Sequence, residues 1–388
     1  MLENYIICLP SVPGSLEEEW EQCRKNIDGI LSTGNKPLKL NIFVDKPDNY
    51  SFQDIRETIF KSALKTFDNL CPAVNITFHP PEKPWKIAVE AGFIGTDNSV
   101  VSYRVWNSIP YVIRVSDTGK EIWAGGPGAG LFPEDAGKAA RAAFDQMRAI
   151  LDAEQMSFNH LVRQWNYIGN ILQVNNKLQN YQIFNEVRNE NYEKYRTVSG
   201  YPAATGVGMK ESGVTLDFYA AKPDKTIKII PVDNPEQVKP YTYGQKVLKG
   251  MPLNGTTKKQ APQFERAVLL TNNMSSTIFV SGTASILGED TIGINDIDKQ
   301  TIVTIKNINK LSEPERIGQL AGINIKDALK LILLRIYIKY QKDFLNVKTI
   351  CEDRFPGVPT VYIEADICRD DLLVEIEAEF TMNNSVNY

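Results

Sequence analysis

Histidine is nearly absent from this chain of 388 residues, which has two, His79 and His160, far apart in the sequence. Zinc sites draw heavily on histidine and cysteine ligands, and a Ser-His-Asp triad needs a histidine as its base. Two distant histidines therefore give little support to either kind of site. We expect any acid–base chemistry to rest on carboxyl, phenol or thiol groups.

Cysteine is also sparse, and its spacing shows no metal-binding or redox pattern. The residues are odd in number and include no CxxC pair: Cys8, Cys23, Cys71, Cys351 and Cys368. Scattered cysteines are typical of reduced, cytoplasmic proteins rather than of disulfide-stabilised ones. The N-terminal stretch "MLENYIICLPSVPG" has no basic segment ahead of its apolar patch, so we expect no signal peptide and a cytoplasmic location.

Long apolar runs and an excess of basic charge are missing too. No run reaches the roughly 18 apolar residues that a membrane span needs. The 43 basic and 47 acidic residues give a net charge of −4, so no basic footprint indicates nucleic acid binding. With 43% apolar residues, the chain is long enough for two globular domains with sizeable cores.

The sequence does contain a repeated α/β pattern. The first 120 residues alternate predicted helices ("LEEEWEQCRKNIDGIL") with predicted strands ("PLKLNIFVD"). From about residue 120, two stretches then share one order: a strand with a Gly-containing turn, a helix, an apolar strand, a second helix and a Pro-marked strand pair. We predict an α/β (α+β) fold of two units, each a mixed sheet with two helices packed on one face.

The units resemble the reactive intermediate deaminase (Rid, or YjgF-like) family. Four motifs in order, "RQWNYIGNI", "YPAATGVG", "FVSGTASI" and "ADICRDDLLVEIEA", resemble the chorismatase family, whose members cleave chorismate and release pyruvate. The resemblance implies an N-terminal Rid-like domain over residues 1–225, with an extra N-terminal α/β segment and a degenerate site. A connector over 226–262 and a C-terminal catalytic domain over 263–388 complete the expected organisation.

Two departures separate the chain from the deaminases. Their substrate-gripping arginine is replaced by Ala204 in "YPAAT" and by a position near Val361 in "VPTVY". The glutamate of the last strand remains as Glu375, whereas the first unit has Asp217 there. The resemblance therefore places catalysis in the second unit, as in chorismatases.

The last strand, "VEIEAEF", puts Glu375, Glu377 and Glu379 on one face. Glu377 and Glu379 are predicted to face solvent, as charged residues of a half-buried strand normally do. Glu375 is the candidate acid, because a carboxyl in a partly apolar pocket can remain protonated near neutral pH. Cys368 is the second candidate catalytic residue, either as a thiol that exchanges a proton or as a residue that shapes the product-determining pocket.

A dicarboxylate such as chorismate needs cations, and arginine binds carboxylates through two parallel hydrogen bonds. The candidate substrate-binding residues are Arg266, Arg163, Tyr201, Gly282, Thr283 and Ala284. The resemblance implies no cofactor and no metal. The product stays open between 3-hydroxybenzoate, 4-hydroxybenzoate and a dihydroxycyclohexadiene carboxylate, and the assembly between monomer and homotrimer. The alternatives are an imine deaminase and a non-catalytic binding protein of the same fold.

Overall fold

Three large sheets form the protein. The computed structural model describes residues 4–67, 71–95, 97–175, 177–224, 226–252, 257–272, 275–322 and 329–383. In these ranges one four-stranded and two six-stranded sheets assemble, together with two small two-stranded ones. None of the helices described is long and apolar enough to cross a membrane.

The first sheet is built from the N-terminal segment. Its elements are β1 (Asn4–Cys8), α1 (Leu16–Leu31), β2 (Lys36–Val44), α2 (Phe52–Phe67), β3 (Ala73–Thr77) and β4 (Ile87–Ile94). The strands lie in the order β1-β4-β2-β3. Ser15 caps α1 in a reciprocal capping box with Glu18, which fixes where this helix begins.

The second sheet follows directly. Its elements are β5 (Val100–Trp106), β6 (Ile109–Ser116), β7 (Gly119–Gly125), α3 (Ala136–Ala153), β8 (Leu161–Gly169), β9 (Val174–Asn175), β10 (Leu178–Gln179), α4 (Asn180–Tyr195), β11 (Ala203–Met209) and β12 (Val214–Pro223). The main strands lie in the order β11-β8-β12-β7-β6-β5, and β9 pairs with β10 separately.

The third sheet contains the acidic strand. Its elements are β13 (Lys228–Val232), β14 (Ala267–Thr271), β15 (Ser275–Ala284), β16 (Ile286–Leu287), β17 (Asp290–Thr291), α5 (Ile297–Leu311), α6 (Pro314–Ala321), β18 (Lys330–Ile338), α7 (Phe344–Arg354), β19 (Thr360–Glu364) and β20 (Val374–Asn383). The main strands lie in the order β13-β14-β15-β20-β18-β19, and β16 pairs with β17.

All three sheets share one chain path. A strand, a helix, a central strand, a second helix and two further strands follow in the same order, as β1 to β4, as β7 to β12, and as β15 to β20. The central strand (β2, β8, β18) runs parallel to the next one, and the last strand lies antiparallel beside it. The predicted mixed sheets with helices on one face are confirmed. The N-terminal segment is a third, shorter copy, which the sequence patterns did not reveal. The domain boundaries at 225 and 262 stay a prediction, and residue 225 lies outside the described ranges.

The three sheets pack their helix-free faces against one another. One buried cluster joins side chains from every sheet, among them Phe43, Trp165 and Tyr337, while each sheet keeps a separate core beneath its own helices. Because both faces of each central strand are covered, the polar side chains on the inner faces are buried as well. Their charges must therefore be compensated within the protein.

The inner faces carry an acid at the same register position in each sheet. Glu90 lies opposite Asn41 on the central strand, Asp217 opposite Trp165, and Glu375 opposite Tyr337. Two residues earlier on each central strand stands a cation: Lys39, Arg163 and Arg335, respectively. The sequence assignment of Asp217 as the counterpart of Glu375 therefore agrees with the register.

Two of these cations reach the equivalent acid of the neighbouring sheet. Lys39 of the first sheet lies 2.7 Å from Asp217 of the second, and Arg335 of the third sheet binds Glu90 of the first through two hydrogen bonds of 2.8 and 2.6 Å. Arg163 of the second sheet instead pairs with Glu377, two residues beyond Glu375 on the third. The three sheets are thus connected in a ring of buried ion pairs.

Glu377 and Glu379 are buried, so the prediction that they face solvent is wrong. Each is only 5% exposed. Glu377 binds Arg163 and Arg335, and Glu379 accepts a 2.7 Å hydrogen bond from the hydroxyl of Tyr5. Alternation along a strand cannot reveal that a second and a third sheet cover its polar face.

The ring of ion pairs predicts a large stability cost at Lys39. Lys39→Met leaves the fully buried Asp217 carboxylate without its cation and is expected to lower the free energy of unfolding by about 3–5 kcal/mol. The double variant Lys39→Met/Asp217→Asn should lose much less. The exposed pair Lys61–Glu57 provides the control, since Lys61→Met should cost less than about 1 kcal/mol. Equal losses in denaturant titrations of Lys39→Met and Lys61→Met would contradict a structural role for the buried pair.

Candidate active site

A pocket lies where the second sheet meets the third. The edge strand β11 is held beside β14 and β15 by hydrogen bonds from Ala204 N to Ser281 Oγ (2.8 Å), from Gly282 N to Thr205 Oγ1 (3.0 Å) and from Glu265 N to Pro202 O (3.1 Å). Glu375 on β20 and Gly282 on β15 lie at the base of this pocket. Helix α4 and side chains from two stretches, Tyr243 to Lys249 and Pro262 to Phe264, form its other sides.

Gly282 leaves the room that the Glu375 carboxyl occupies. A Cβ atom at Gly282 would lie 1.9 Å from Glu375 Oε1, so any larger residue would displace the carboxyl. Glu375 is 4% exposed, and none of the described residues forms a hydrogen bond with its carboxyl group. The carboxyl is therefore buried without a hydrogen-bond partner among the described residues, an environment that destabilises its charged form.

This environment keeps Glu375 protonated. Burial, reinforced by the neighbouring Glu377 carboxylate, raises the pKa of Glu375 to about 8, although the Arg163 and Arg266 guanidinium groups act in the opposite direction. At neutral pH most molecules therefore carry a carboxylic acid at this position. A buried acid with such a pKa can donate a proton near neutral pH.

Cys368 lies beside this acid, on the loop between β19 and β20. Its side chain lines the pocket together with Leu372 and Ala284. Burial, followed by the nearby Glu375, raises the pKa of the Cys368 thiol to about 12. The thiol is therefore neutral at physiological pH and is not an activated nucleophile.

Three arginines line the pocket without a carboxylate partner among the described residues: Arg188 on α4, Arg266 before β14, and Arg369 after Cys368. Arg188 donates to Asn185 Oδ1 (2.7 Å), and Arg266 donates to Val238 O (2.8 Å) and to the Tyr243 hydroxyl (2.6 Å). The Nε atoms of Arg188 and Arg266 are buried without a hydrogen-bond partner. Because such guanidinium groups are costly to bury unpaired, they are suited to an anionic ligand.

The connector predicted over 226–262 covers the pocket. Its side chains Tyr243, Val247, Leu248, Lys249 and Pro262 line the cavity. Backbone bonds anchor it: Met251 N donates to Lys177 O (2.8 Å), and Gln260 N donates to the carboxylate of Glu186 (3.0 Å). Residues 253–256 of this connector lie outside the described ranges.

Most of the predicted site residues come together in this pocket, and three lie elsewhere. Lining it are Glu375, Cys368, Arg266, Gly282 and Ala284. Arg163 lies behind it, where its guanidinium binds Glu377 and donates to Thr205 Oγ1 (2.5 Å). Tyr201 lines a separate surface cavity and stacks on Tyr192, and Thr283 donates to Ser281 O (2.8 Å) within β15.

The sequence analysis missed the contribution of the second sheet. Arg188, Tyr181 and Gln182 come from α4, and Thr205 and Gly206 come from β11. Helix α4 buries Asn185, Glu186 and Arg188 in addition to an apolar stripe that includes Phe184, Val187 and Tyr192. Buried polar residues on a helix indicate a ligand site or a polar network. Arg369, which directly follows Cys368 in the chain, was not predicted as a site residue.

A cavity also lies between the first two sheets, lined by Phe60, Val74, Ile76 and Gly125, but the acid of that interface does not reach it. Asp217, which corresponds to Glu375, is fully buried and paired with Lys39, and the Lys39 ammonium lies 3.4 Å from the centre of the Trp165 ring. At Gly125, opposite Asp217, a Cβ atom would lie 2.9 Å from the Asn75 side chain. Among the described residues, no group of three or more His, Cys, Asp or Glu side chains is arranged to hold a metal ion.

Comparisons with known proteins agree with this architecture. Residues 129–220 match the family described as "Chorismatase FkbO/Hyg5-like, N-terminal". A crystal structure of a chorismatase superposes with a TM-score of 0.65 and 20% identity, over 98% of this chain and 99% of that one. At this identity the likeness concerns the fold.

Two curated proteins are similar in sequence. The 3-hydroxybenzoate synthase of Streptomyces hygroscopicus is 33% identical over 261 residues, which cover 65% of this chain and 70% of that protein. The chorismatase of Streptomyces rapamycinicus is 30% identical over 228 residues, which cover 57% of this chain and 64% of that protein. With this degree of identity and coverage, the chain belongs to the chorismatase family.

Proposed function

We propose that the protein cleaves the enolpyruvyl ether of chorismate and releases pyruvate. The observation that carries this proposal is the Glu375 carboxyl, which is buried, lacks a hydrogen-bond partner among the described residues, and faces a pocket with three arginines. Relatives named 3-hydroxybenzoate synthase and chorismatase support the choice of substrate. The ring product that we propose is 3-hydroxybenzoate, and the alternative ring product is a dihydroxycyclohexadiene carboxylate.

The first step is a proton transfer from Glu375. The π electrons of the enol ether take the proton at the methylene carbon, so a C–H bond forms as the carboxyl O–H bond breaks. The adjacent carbon becomes an oxocarbenium centre, stabilised by its ether oxygen. The carboxylate left on Glu375 favours this positive charge.

The second step decides the product. If water adds to the oxocarbenium carbon and releases a proton, the resulting hemiketal collapses to pyruvate and a dihydroxycyclohexadiene carboxylate. If the ring's C4 hydroxyl adds instead of water, it releases its proton and a cyclic ketal forms. The ring C4–O bond and the bond between the ketal carbon and the ether oxygen then break, so the former hydroxyl oxygen becomes the keto oxygen of pyruvate. The ring loses its C3 proton and becomes aromatic, and the ether oxygen takes up a proton as the hydroxyl of 3-hydroxybenzoate, with no net water. In both routes Glu375 recovers its proton.

Cys368 and Ala284 lie where they could influence this choice. Both line the wall beside Glu375, and the Cys368 thiol is neutral because burial raises its pKa to about 12. A neutral thiol and a methyl group leave the ring little polar surface to bind water. This supports the route in which the ring's own oxygen reacts.

The arginines supply the positive charge that a dicarboxylate needs. Arg188 and Arg369 come from different elements, α4 and the loop before β20, whereas Arg266 is fixed by Val238 and Tyr243. Two carboxylates can therefore be bound from more than one side, which would orient the enolpyruvyl group toward Glu375.

Incubation with chorismate tests the function directly. The purified protein should form pyruvate and one aromatic or dihydroaromatic acid in equal amounts, identified by mass spectrometry and NMR. Pyruvate at the level of a no-enzyme control would reject the proposal. Release of ammonia from 2-aminoacrylate would favour the deaminase alternative instead.

Substitution of the acid gives a second test. Glu375→Gln should reduce kcat/KM by at least about 30-fold, or about 2 kcal/mol, the scale of losing a general acid. Since the protonated form is active and the pKa of Glu375 is raised to about 8, wild-type kcat/KM should fall as pH rises through about 8. A wild-type rate that increases across this range, or an unchanged rate in the variant, would refute the assignment.

Arg188 should matter for binding more than for turnover. Arg188→Gln removes a buried guanidinium and is expected to raise KM about tenfold or more, with a smaller change in kcat, since hydrogen bonds to charged groups contribute about 1.5–3 kcal/mol. Arg196→Gln is the control, because Arg196 is partly buried and binds the backbone oxygens of Gly200 and Phe158 outside the pocket. Equal KM values in the two variants would exclude Arg188 from the substrate site.

A further inference from the structure

The three equivalent acids differ in one respect: Glu90 and Asp217 each pair with the cation of the preceding sheet, and Glu375 does not. The cation in question, Arg163, belongs to the second sheet and occupies the same register position as Lys39 and Arg335. Its guanidinium binds Glu377 instead. The ring is therefore shifted by two residues at the interface whose pocket Glu375 lines.

We infer that Glu377 is a positioning residue whose task is to hold Arg163 away from Glu375, so that Glu375 remains an unpaired acid. This inference rests on the proposed function of Glu375. Glu377 is suited to the task because the positions that correspond to it in the other sheets, Gly92 and Tyr219, carry no carboxylate. No carboxylate therefore stands two residues after Glu90 or Asp217 on its own strand, whereas Glu377 stands two residues after Glu375.

Several buried side chains bind the carboxylate of Glu377. Its carboxylate pairs with Arg163 and Arg335 and accepts hydrogen bonds from Trp165 Nε1 (3.0 Å), Thr205 Oγ1 and the Tyr337 hydroxyl (3.2 Å). Burial acts against its charge, but the two guanidinium groups outweigh this effect and hold the pKa of Glu377 below its usual range. The group is therefore an anion throughout the physiological range.

The charges of the buried ring support the same assignment. Lys39 is balanced by Asp217, and Arg335 by Glu90, so Glu377 balances Arg163. If Glu377 lost its charge, one buried guanidinium would remain uncompensated. Glu375 and Glu379 lie two residues to either side on the same face of β20, and Glu379 already accepts a hydrogen bond from Tyr5. Glu375 is therefore the carboxyl without a hydrogen-bond partner among the described residues that could then compensate Arg163.

Thr205 connects this network to the pocket. Its hydroxyl accepts hydrogen bonds from Arg163 (2.5 Å) and from the backbone N–H of Gly282 (3.0 Å), and it donates to Glu377. Gly282 is the residue against which the Glu375 carboxyl lies. The position of Arg163 and the room for Glu375 are thus set by one continuous set of contacts.

Other charged or titratable groups also line the pocket around Glu375: Arg266 before β14, Tyr181 and Arg188 on α4, Tyr243 and Lys249 on the connector, and Cys368 and Arg369 on the loop before β20. They are unchanged by a substitution at Glu377. A shift in the titration of Glu375 after that substitution therefore reports on Arg163 and on the lost Glu377 charge.

A set of three variants tests the inference: Glu377→Gln, Arg163→Gln and the double variant. In Glu377→Gln, Arg163 is free to pair with Glu375, and the alkaline limb of kcat/KM should move about 1–3 pH units lower, the usual effect of a nearby opposite charge. Arg163→Gln should keep the limb at or above that of the wild type. The double variant, in which the buried charges balance again, should return the limb to within about one unit of the wild type.

The titration of the Glu375 carboxyl separates this inference from the proposed function. Carboxyl ¹³C NMR of glutamate-labelled protein, with Glu375→Gln used to assign the signal, measures it without any substrate. A midpoint that falls in Glu377→Gln and recovers in the double variant supports the inference even if chorismate is not turned over. An unchanged titration midpoint of Glu375 in Glu377→Gln overturns the inference. The inference also fails if Glu377→Gln loses activity at every pH and the double variant does not restore it.

Discussion

The compensation of charges buried between three sheets is the constraint on which the rest of the structure depends. Each sheet covers its outer face with its own helices, so the inner faces, which carry acids and cations, meet with no access to bulk water. A buried charge is tolerated only when it is paired. The pairs between Lys39 and Asp217 and between Arg335 and Glu90 satisfy this requirement across two interfaces. They also fix the register in which the sheets face one another.

The same constraint distinguishes the acid of the proposed site from its counterparts. Where the first sheet meets the second, the acid is paired with a lysine, and a Cβ atom at the glycine opposite it would lie against the Asn75 side chain. Where the second sheet meets the third, Arg163 is bound by Glu377, and Gly282 leaves space for the Glu375 carboxyl. Glu375, the proposed catalytic group, is thus the member of the three equivalent acids that has no cation partner. The stability of the surrounding core offsets the free-energy cost of burying this unpaired carboxyl. Perturbed acids of this kind are characteristic of functional sites.

The sequence predicted the parts of this arrangement that are local. Alternation and turn residues located the repeated unit, and the repeat with the family resemblance singled out Glu375, Cys368 and Gly282, which the structure brings together. The contributions that cross from one sheet to another were not predictable from such patterns. The burial of Glu377 and Glu379 depends on sheets formed by distant residues, and Arg163 looked like a substrate ligand because its partner is 214 residues away in the sequence. The third copy of the unit was not predicted either, because it shares the strand order of the other two copies but not their sequence motifs.

Infrared difference spectroscopy of the wild-type protein against Glu375→Gln at neutral pH tests the central claim most directly. The claim is that Glu375 is kept as a carboxylic acid because its cation is bound elsewhere. It predicts that the wild type shows the carbonyl stretch of one additional protonated carboxyl, which disappears as pH rises past about 8, in accord with the raised pKa of Glu375. If the difference spectrum contains only carboxylate bands at neutral pH, Glu375 is ionised and the account is contradicted.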